Sequence, residues 1–148
     1  PLGENVTYLN YPMYFEGQNI FAFQNNEEKK AINNESIKNF FEALGEEKNY
    51  PLVFHCTQGK DRTGALAYAL EALLGMKKED IYHDYLFTNF SRLGSSMVTV
   101  DNISANARIG GSIEAMEGDT YQEKAFNFLL TFDISEETLN NIIAIMLK

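Results

Sequence analysis

The sequence has little cysteine, little positive charge and no long apolar run. Its single cysteine, Cys56, excludes an internal disulfide and suits a reducing compartment. Lys and Arg number 12 against 21 Asp and Glu, and the net charge of −9 disfavours broad binding to nucleic acid or acidic membranes. No apolar stretch approaches the roughly 20 residues that span a bilayer, and no secretory signal opens the chain. We therefore expect a soluble protein without stable membrane insertion, either cytoplasmic or secreted.

Two short segments are predicted to be strands. Residues 6–14 are rich in strand-forming side chains that alternate between two faces, up to the proline at position 12. Residues 52–55 are apolar almost throughout, which is typical of a central parallel strand. The intervening residues 15–33 are predicted to be a loop, in which 21–23 could form a further short strand.

Apolar periodicity predicts five helices, at residues 35–44, 63–74, 77–90, 121–132 and 136–146. Asn34 is a suitable N-cap for the first helix and Gly45 a suitable stop, and Ser135 caps the last helix. The second helix is apolar on almost every face, so we expect it to be buried. Residues 91–119, which several glycines interrupt, stay unassigned.

These elements indicate an α/β fold with a central, mostly parallel sheet flanked by helices. The length of 148 residues suits one catalytic domain over 1–148, and no repeat suggests a second. Two strands are too few for a sheet that five helices cover. We therefore expect that strands preceding Pro1 are missing, so that this chain is the C-terminal part of the domain. A complementary N-terminal fragment or a second chain would supply them.

The most informative stretch is the ten-residue sequence His-Cys-Thr-Gln-Gly-Lys-Asp-Arg-Thr-Gly at 55–64. It follows a short apolar run and precedes a long one, which predicts a strand, a tight loop and a buried helix. Such a loop directs backbone N–H groups at the N-terminus of a helix. These groups attract an oxyanion and favour the thiolate form of Cys56 over the thiol.

Each residue type in this loop suits phosphoryl transfer. Cys56 is the candidate nucleophile, and Arg62 offers a planar fork of donors that matches two phosphoryl oxygens. Gly59 permits the positive φ of a tight cradle, Lys60 adds positive charge at the rim, and Thr63 can donate its hydroxyl to the sulfur. The predicted phosphate-binding residues are Thr57, Gln58, Gly59, Lys60, Asp61 and Arg62, with His55 and Thr63 in support.

The leaving group also needs a proton, and few carboxyl groups are placed to give it. Residues 1–55 contain no aspartate, so Asp61 inside the loop is the first candidate for the general acid. A role for Asp61 as a loop scaffold stays open. The remaining candidates are Glu16, Glu27 and Glu28 upstream and Asp84 and Asp101 downstream.

Two other kinds of site fit the residues poorly. A nucleotide-binding P-loop needs Ser or Thr after its Gly-Lys pair, whereas Asp61 stands there. A metal site needs spaced ligands, whereas His55 adjoins Cys56 and His83 is isolated. No metal or other cofactor is therefore expected. Arsenate reduction would need further cysteines, and sulfur transfer stays a rival thiolate chemistry.

With its His-Cys pair, five intervening residues and Arg-Thr, the loop resembles that of the cysteine-dependent protein tyrosine phosphatase superfamily. The fuller string resembles a bacterial and fungal branch with the loop HCxxGKDRTG, which includes secreted lipid and tyrosine phosphatases. The resemblance covers roughly residues 50–148 and extends to Asp84-Tyr85-Leu86, Asn89 and Gly111-Ser112-Ile113-Glu114. The strands that the family carries before this region are not in this chain.

The resemblance implies a phosphomonoester hydrolase in which Cys56 forms a phosphocysteine and Arg62 holds the phosphoryl group. It implies Asp61 as the general acid, whereas most of the superfamily carries this acid on an upstream loop. Lys60 is associated in this branch with phosphoinositide as well as phosphotyrosine substrates, so the expected partner is a phosphorylated protein or a phosphoinositide. The alternatives are a catalytically silent phosphate-binding module or an inactive fragment of such a domain.

Overall fold

The computed structural model describes residues 5–15, 19–21, 26–90, 98–104 and 109–148. These residues form mostly helices joined by short connections. The α-helices are α1 (Glu27–Leu44), α2 (Arg62–Leu73), α3 (Lys78–Leu86), α4 (Val100–Ser104), α5 (Ile109–Glu114), α6 (Tyr121–Leu130) and α7 (Glu136–Met146), with short 3₁₀ helices at Glu47–Asn49 and Phe87–Phe90.

The predicted α/β fold with a central parallel sheet is wrong, because no sheet forms within the described ranges. Residues 6–15 and 52–57 are not helical, but they carry no strand ladder. Val53 is 90% exposed, whereas a central strand is buried on both faces. Burial alternates along 52–55 because the segment packs on one side only, where the Phe54 ring lies 5.0 Å from the Phe40 ring. The strand considered at 21–23 falls largely outside the described residues, and the complementary fragment or second chain stays a prediction.

Helix α1 begins well before the predicted start. Its N-cap is Asn26, whose side chain accepts a hydrogen bond from the Lys29 N–H at 2.9 Å. The predicted cap, Asn34, lies in the middle of the helix. The sequence was misleading here because asparagine favours helix ends over helix interiors. Its neighbour Asn33 is buried inside the fold and hydrogen-bonds to residues outside the helix, which accounts for an asparagine in this position.

Helix α2 is the buried helix that the sequence predicted. It packs against α3, α5 and α6. A close approach to α3 occurs at Gly64, where a Cβ atom would lie 2.9 Å from the Tyr85 ring. Its buried residues are Gly64, Ala65, Leu66, Tyr68, Ala69, Leu70, Ala72 and Leu73. Because α2 begins at Arg62, this packing fixes the end of the predicted phosphate loop on the core of the protein.

The two closing helices are also confirmed. Thr120 and Glu123 form a capping box at the start of α6. Ser135 caps α7 as predicted and accepts a hydrogen bond from the Thr138 N–H at 3.0 Å. Helix α7 packs against α1. Helix α6 packs against α2, so both closing helices lie against other helices of the fold.

The unassigned stretch contains two short helices, α4 and α5. Gly110 lies inside α5, although the sequence suggested a break there. A Cβ atom at this position would lie 2.7 Å from the Ile103 carbonyl oxygen, so glycine permits close contact between α4 and α5. Residues 91–97 and 105–108 lie outside the described part of the chain. In the part that is described, no helix is both long and apolar enough to span a membrane.

Candidate active site

The predicted phosphate loop turns tightly between residues 52–55 and α2. Gly59 adopts a φ of 75°, which confirms the expected positive φ. This conformation brings the Gly59 N–H to 3.2 Å from the Cys56 sulfur, to which it donates. His55 is exposed, and its Nδ1 lies 3.3 Å from the Cys56 carbonyl oxygen. The loop therefore folds around the sulfur rather than away from it.

The surroundings of Cys56 favour its thiolate. Burial of the half-buried sulfur raises its pKa, and this is the largest individual influence. Hydrogen bonds from the Thr63 hydroxyl and from the backbone N–H groups of Thr63, Gln58 and Gly59 together outweigh it. The net effect is a thiol pKa below its ordinary value. A thiolate is the nucleophilic form of cysteine.

Arg62 offers a donor without an acceptor in the described part of the chain. One terminal nitrogen, Nη2, donates to the Thr57 hydroxyl oxygen at 3.3 Å. The Nε atom is buried and has no hydrogen-bond partner among the described residues. An unsatisfied buried donor costs about 1–3 kcal/mol. A phosphoryl group held by the guanidinium would satisfy this donor, since two of its oxygens match the arginine fork.

Lys60 occupies a different position from the predicted one. The residue is only 5% exposed, so it is buried rather than placed at an open rim. A buried ammonium is less screened by water than an exposed one. Lys60 therefore contributes positive charge to the loop from within the fold.

Asp61 stands at the N-cap position of α2, yet its carboxyl does not cap the helix. Only its backbone carbonyl serves the helix, by accepting a hydrogen bond from the Ala65 N–H at 3.0 Å. The Asp61 carboxyl therefore does not act as a scaffold by capping α2. Asp61 is half-buried and adjoins Arg62, so its role as the acid stays a prediction.

The other candidate acids lie elsewhere or outside the described residues. Glu27 is highly exposed and lies 3.8 Å from Lys30 in the first turn of α1. Asp84 is hydrogen-bonded to Glu71 across α2 and α3. The remaining three are Glu28 in the first turn of α1, Asp101 in α4 and Glu16, which is not among the described residues.

Sequence reasoning missed one neighbour of the loop, Phe15. Its ring centroid lies 5.6 Å from the guanidinium carbon of Arg62, within the range of a cation–π contact. No motif connects the two positions, and Phe15 fell at the start of the predicted loop 15–33. Only the folded chain brings this aromatic ring to the candidate site.

The arrangement suits an oxyanion better than a metal ion. The loop combines backbone N–H groups around a sulfur whose pKa is lowered with an arginine that has a buried Nε donor without an acceptor among the described residues. In the described part of the chain, no group of three or more His, Cys, Asp or Glu residues could hold a metal ion. The chemistry available at this site is nucleophilic attack by sulfur on a bound anionic group.

Comparison with known proteins gives short matches to curated phosphatases. The chain is 42% identical over 49 residues to a tyrosine-protein phosphatase of Nostoc commune, which covers 33% of this chain and 17% of that protein. It is 55% identical over 38 residues to a putative tyrosine-protein phosphatase of Cupriavidus necator, covering 26% and 14% respectively. A putative tyrosine-protein phosphatase of Debaryomyces hansenii is 31% identical over 80 residues, covering 54% and 41%.

These matches span less than half the length of each relative, and no solved structure gives a significant match. The family-level comparison extends much further along the chain. A model of the tyrosine phosphatase family matches residues 14–146, which include Phe15, the whole phosphate loop and all seven α-helices. Because this match covers most of the sequence, the protein belongs to the tyrosine phosphatase family.

Proposed function

We propose that this protein is a phosphomonoester hydrolase that works through a phosphocysteine intermediate. One observation carries the proposal: the same loop contains a candidate nucleophile and a candidate phosphate-binding group. The Cys56 sulfur accepts a hydrogen bond from the Gly59 N–H, and the buried Nε of Arg62 lacks an acceptor among the described residues. Family membership supports the same activity.

The first step transfers the phosphoryl group to sulfur. The Cys56 thiolate attacks phosphorus, so a sulfur–phosphorus bond forms while the bond to the ester oxygen breaks. Asp61 gives its proton to the departing oxygen, and Arg62 neutralises charge on the phosphoryl oxygens. In the second step water attacks phosphorus and the sulfur–phosphorus bond breaks. The ionised Asp61 accepts the proton of that water, and phosphate leaves.

The proposed substrates are phosphotyrosine, phosphoserine or phosphothreonine in proteins, and phosphoinositides. The positive charge of Lys60 in the loop sequence supports binding of highly anionic substrates such as phosphoinositides. The sequence HCTQGKDRTG supports a place in the branch that has this loop and contains lipid and dual-specificity phosphatases. A substrate panel distinguishes these classes.

The test measures phosphate release from p-nitrophenyl phosphate, a phosphotyrosine peptide and phosphoinositide vesicles, with a metal chelator present. We expect the wild-type protein to be active and Cys56→Ser to be inactive on every substrate. Asp61→Asn should lose about 10²- to 10⁴-fold on the peptide, the usual range for a general acid. Its loss on p-nitrophenyl phosphate should be smaller, because that leaving group needs a proton less.

Asp80→Asn is the matched control, since Asp80 is an exposed carboxylate on α3. It should retain wild-type rates. Full turnover by Cys56→Ser would overturn the mechanism. Tight binding of phosphopeptide without phosphate release would instead indicate a silent phosphate-binding module.

A further inference from the structure

Gly64 lies where the first turn of α2 meets the phosphate loop. A Cβ atom at this position would lie 2.9 Å from Cε2 of the Tyr85 ring and 3.5 Å from the Gly59 carbonyl oxygen. The space that a side chain would need is therefore filled by a ring from α3 and by the turn of the loop. Glycine is disfavoured within helices, so this contact gives position 64 a reason to carry it. Ring, helix and loop meet here, and close packing transmits a displacement of one to the others.

The Tyr85 ring is itself firmly held. The residue is 7% exposed, and its ring meets the Tyr68 ring edge to face at a centroid distance of 6.2 Å. Tyr68 is 1% exposed and lies four residues after Gly64, on the same face of α2. Its hydroxyl forms a hydrogen bond of 2.7 Å with the hydroxyl of Tyr121 on α6. The ring that packs on Gly64 is therefore backed by the core of the protein.

The contact lies next to the groups that stabilise the Cys56 thiolate. Gly59 donates its N–H to the sulfur at 3.2 Å, and its carbonyl oxygen is the one near Gly64. The hydroxyl and the N–H of Thr63, directly before Gly64, lower the pKa of the same thiol. Hydrogen bonds weaken steeply as their distance and angle depart from the optimum. A shift in the first turn of α2 would therefore weaken the donors around the sulfur.

We propose that Tyr85 is a positioning residue for the phosphate loop, whose donors it keeps directed at the Cys56 sulfur through its contact with Gly64. The inference rests on the proposed function, in which that sulfur is the nucleophile. Tyr85 acts through the backbone of α2 and takes no part in the chemistry itself. The ring is the part of the side chain that performs this role, because the ring is what fills the space beside Gly64.

A competing role for Tyr85 is core packing alone, which would support stability without affecting the sulfur. Tyr82 allows the two roles to be separated. It lies one turn earlier on α3, is 9% exposed, and its ring lies 6.1 Å from the same Tyr68 ring. Its ring also meets the Lys78 ammonium at 5.5 Å, at the opposite end of α3 from Tyr85. The two tyrosines thus share their burial and their contact with Tyr68, whereas it is Tyr85 that packs on Gly64.

The experiment measures the pH profile of alkylation by iodoacetamide. Cys56 is the only cysteine, so the reaction reports this sulfur alone and needs no substrate. We expect Tyr85→Leu to move the acidic limb upward by roughly one pH unit, as the weakening of one hydrogen bond to a charged group implies. The acidic limb of kcat/KM for p-nitrophenyl phosphate should move with it. Tyr85→Phe keeps the ring and should retain the wild-type profile. Tyr82→Leu should lose comparable stability in urea and also retain that profile.

Gly64→Ala tests the same contact from the side of α2. Its added methyl group would meet the Tyr85 ring at 2.9 Å, so the acidic limb should rise here too. In the double variant with Tyr85→Leu the ring is gone, and the two shifts should therefore not add. The titratable neighbours, which are His55, the charged residues at 60–62 and the pair Glu71 and Asp84, are the same in every variant. A shift therefore reports the donors around the sulfur.

Equal shifts in Tyr85→Leu and Tyr82→Leu would overturn the proposal, because they would indicate a general loosening of the core. An unchanged profile in both Tyr85→Leu and Gly64→Ala would overturn it as well. If Tyr85→Leu does not fold, Gly64→Ala decides the question alone, since it keeps the ring. A wild-type protein that released no phosphate would instead defeat the proposed function, and the alkylation profiles would still decide the role of Tyr85.

Discussion

Cys56 is a half-buried thiol whose reactivity depends on a small set of hydrogen bonds. Burial disfavours its charged form, whereas the Thr63 hydroxyl and three backbone N–H groups favour it. The balance between these effects lowers the pKa, and the backbone donors depend on the turn at Gly59. The side-chain donor, Thr63, is the one that a substitution can remove without changing the path of the loop.

Thr63→Val should therefore raise the pKa of Cys56. Because the thiolate is the reactive form, the rate of reaction with iodoacetamide falls as the pH drops through this pKa. Loss of the hydroxyl donor should move that acidic limb to higher pH, and the acidic limb of kcat/KM should move with it. The measurement is the pH profile of alkylation, with Thr63→Ser as the control that keeps a hydroxyl. A profile that is identical in wild type and Thr63→Val would contradict this role.

At the scale of helices, the contact of α2 with α3 contains a pair of carboxyl groups. Burial and the nearby Asp84 raise the pKa of Glu71 to about 7, and the two side chains are hydrogen-bonded. One proton shared between the two carboxyls is compatible with such a bond, whereas two negative charges at this distance repel. The packing of α3 on the helix that carries Arg62 therefore depends on pH.

The fold should lose stability as the pH rises from about 4.5 through about 7. The folded-state pKa of Glu71 lies above its ordinary value of 4.5, so the folded protein holds this proton more tightly than the unfolded chain does. Glu71→Gln should raise the free energy of unfolding at pH 8 by about 1–2 kcal/mol, after allowance for solvent screening of this half-exposed group. At pH 4 the benefit should vanish. Urea unfolding at both pH values measures this, with the exposed Glu79→Gln on α3 as the control. An equal gain for Glu71→Gln at both pH values would contradict the prediction.

The elements differ in how far the sequence revealed them. Helices α6 and α7 were predictable because their caps and apolar stripes are local signals, and α2 because it is apolar on almost every face. The early start of α1 was not predictable. Asn33 lies inside this helix, where its side chain forms hydrogen bonds with the backbone of Tyr14 and Ile20, and the sequence does not reveal these bonds. The strand prediction at 52–55 failed because an apolar run does not specify its partner. Phe54 packs on a helix, and Val53 is left exposed.

At the scale of the whole molecule, the candidate site draws on distant parts of the chain. Its central loop is contiguous, so Cys56, Arg62 and the turn at Gly59 could be predicted from sequence. The contact of Phe15 with Arg62 could not, because it joins segments far apart in sequence, and no local signal marked Lys60 as buried. The N-terminal segment is attached to α1 by hydrogen bonds to Asn33 and Ser36.

The attachment of the N-terminal segment to α1 should stabilise the fold. Asn33→Ala leaves the Tyr14 N–H and the carbonyls of Tyr14 and Ile20 without their partner, which should cost about 1–3 kcal/mol of unfolding free energy. The measurement is the free energy of unfolding in urea. Asn34→Ala is the matched control, because the adjacent Asn34 is less buried and alanine favours a helix interior. If the two alanine variants were equally stable, the hydrogen bonds to Asn33 would not be what holds the N-terminal segment in place.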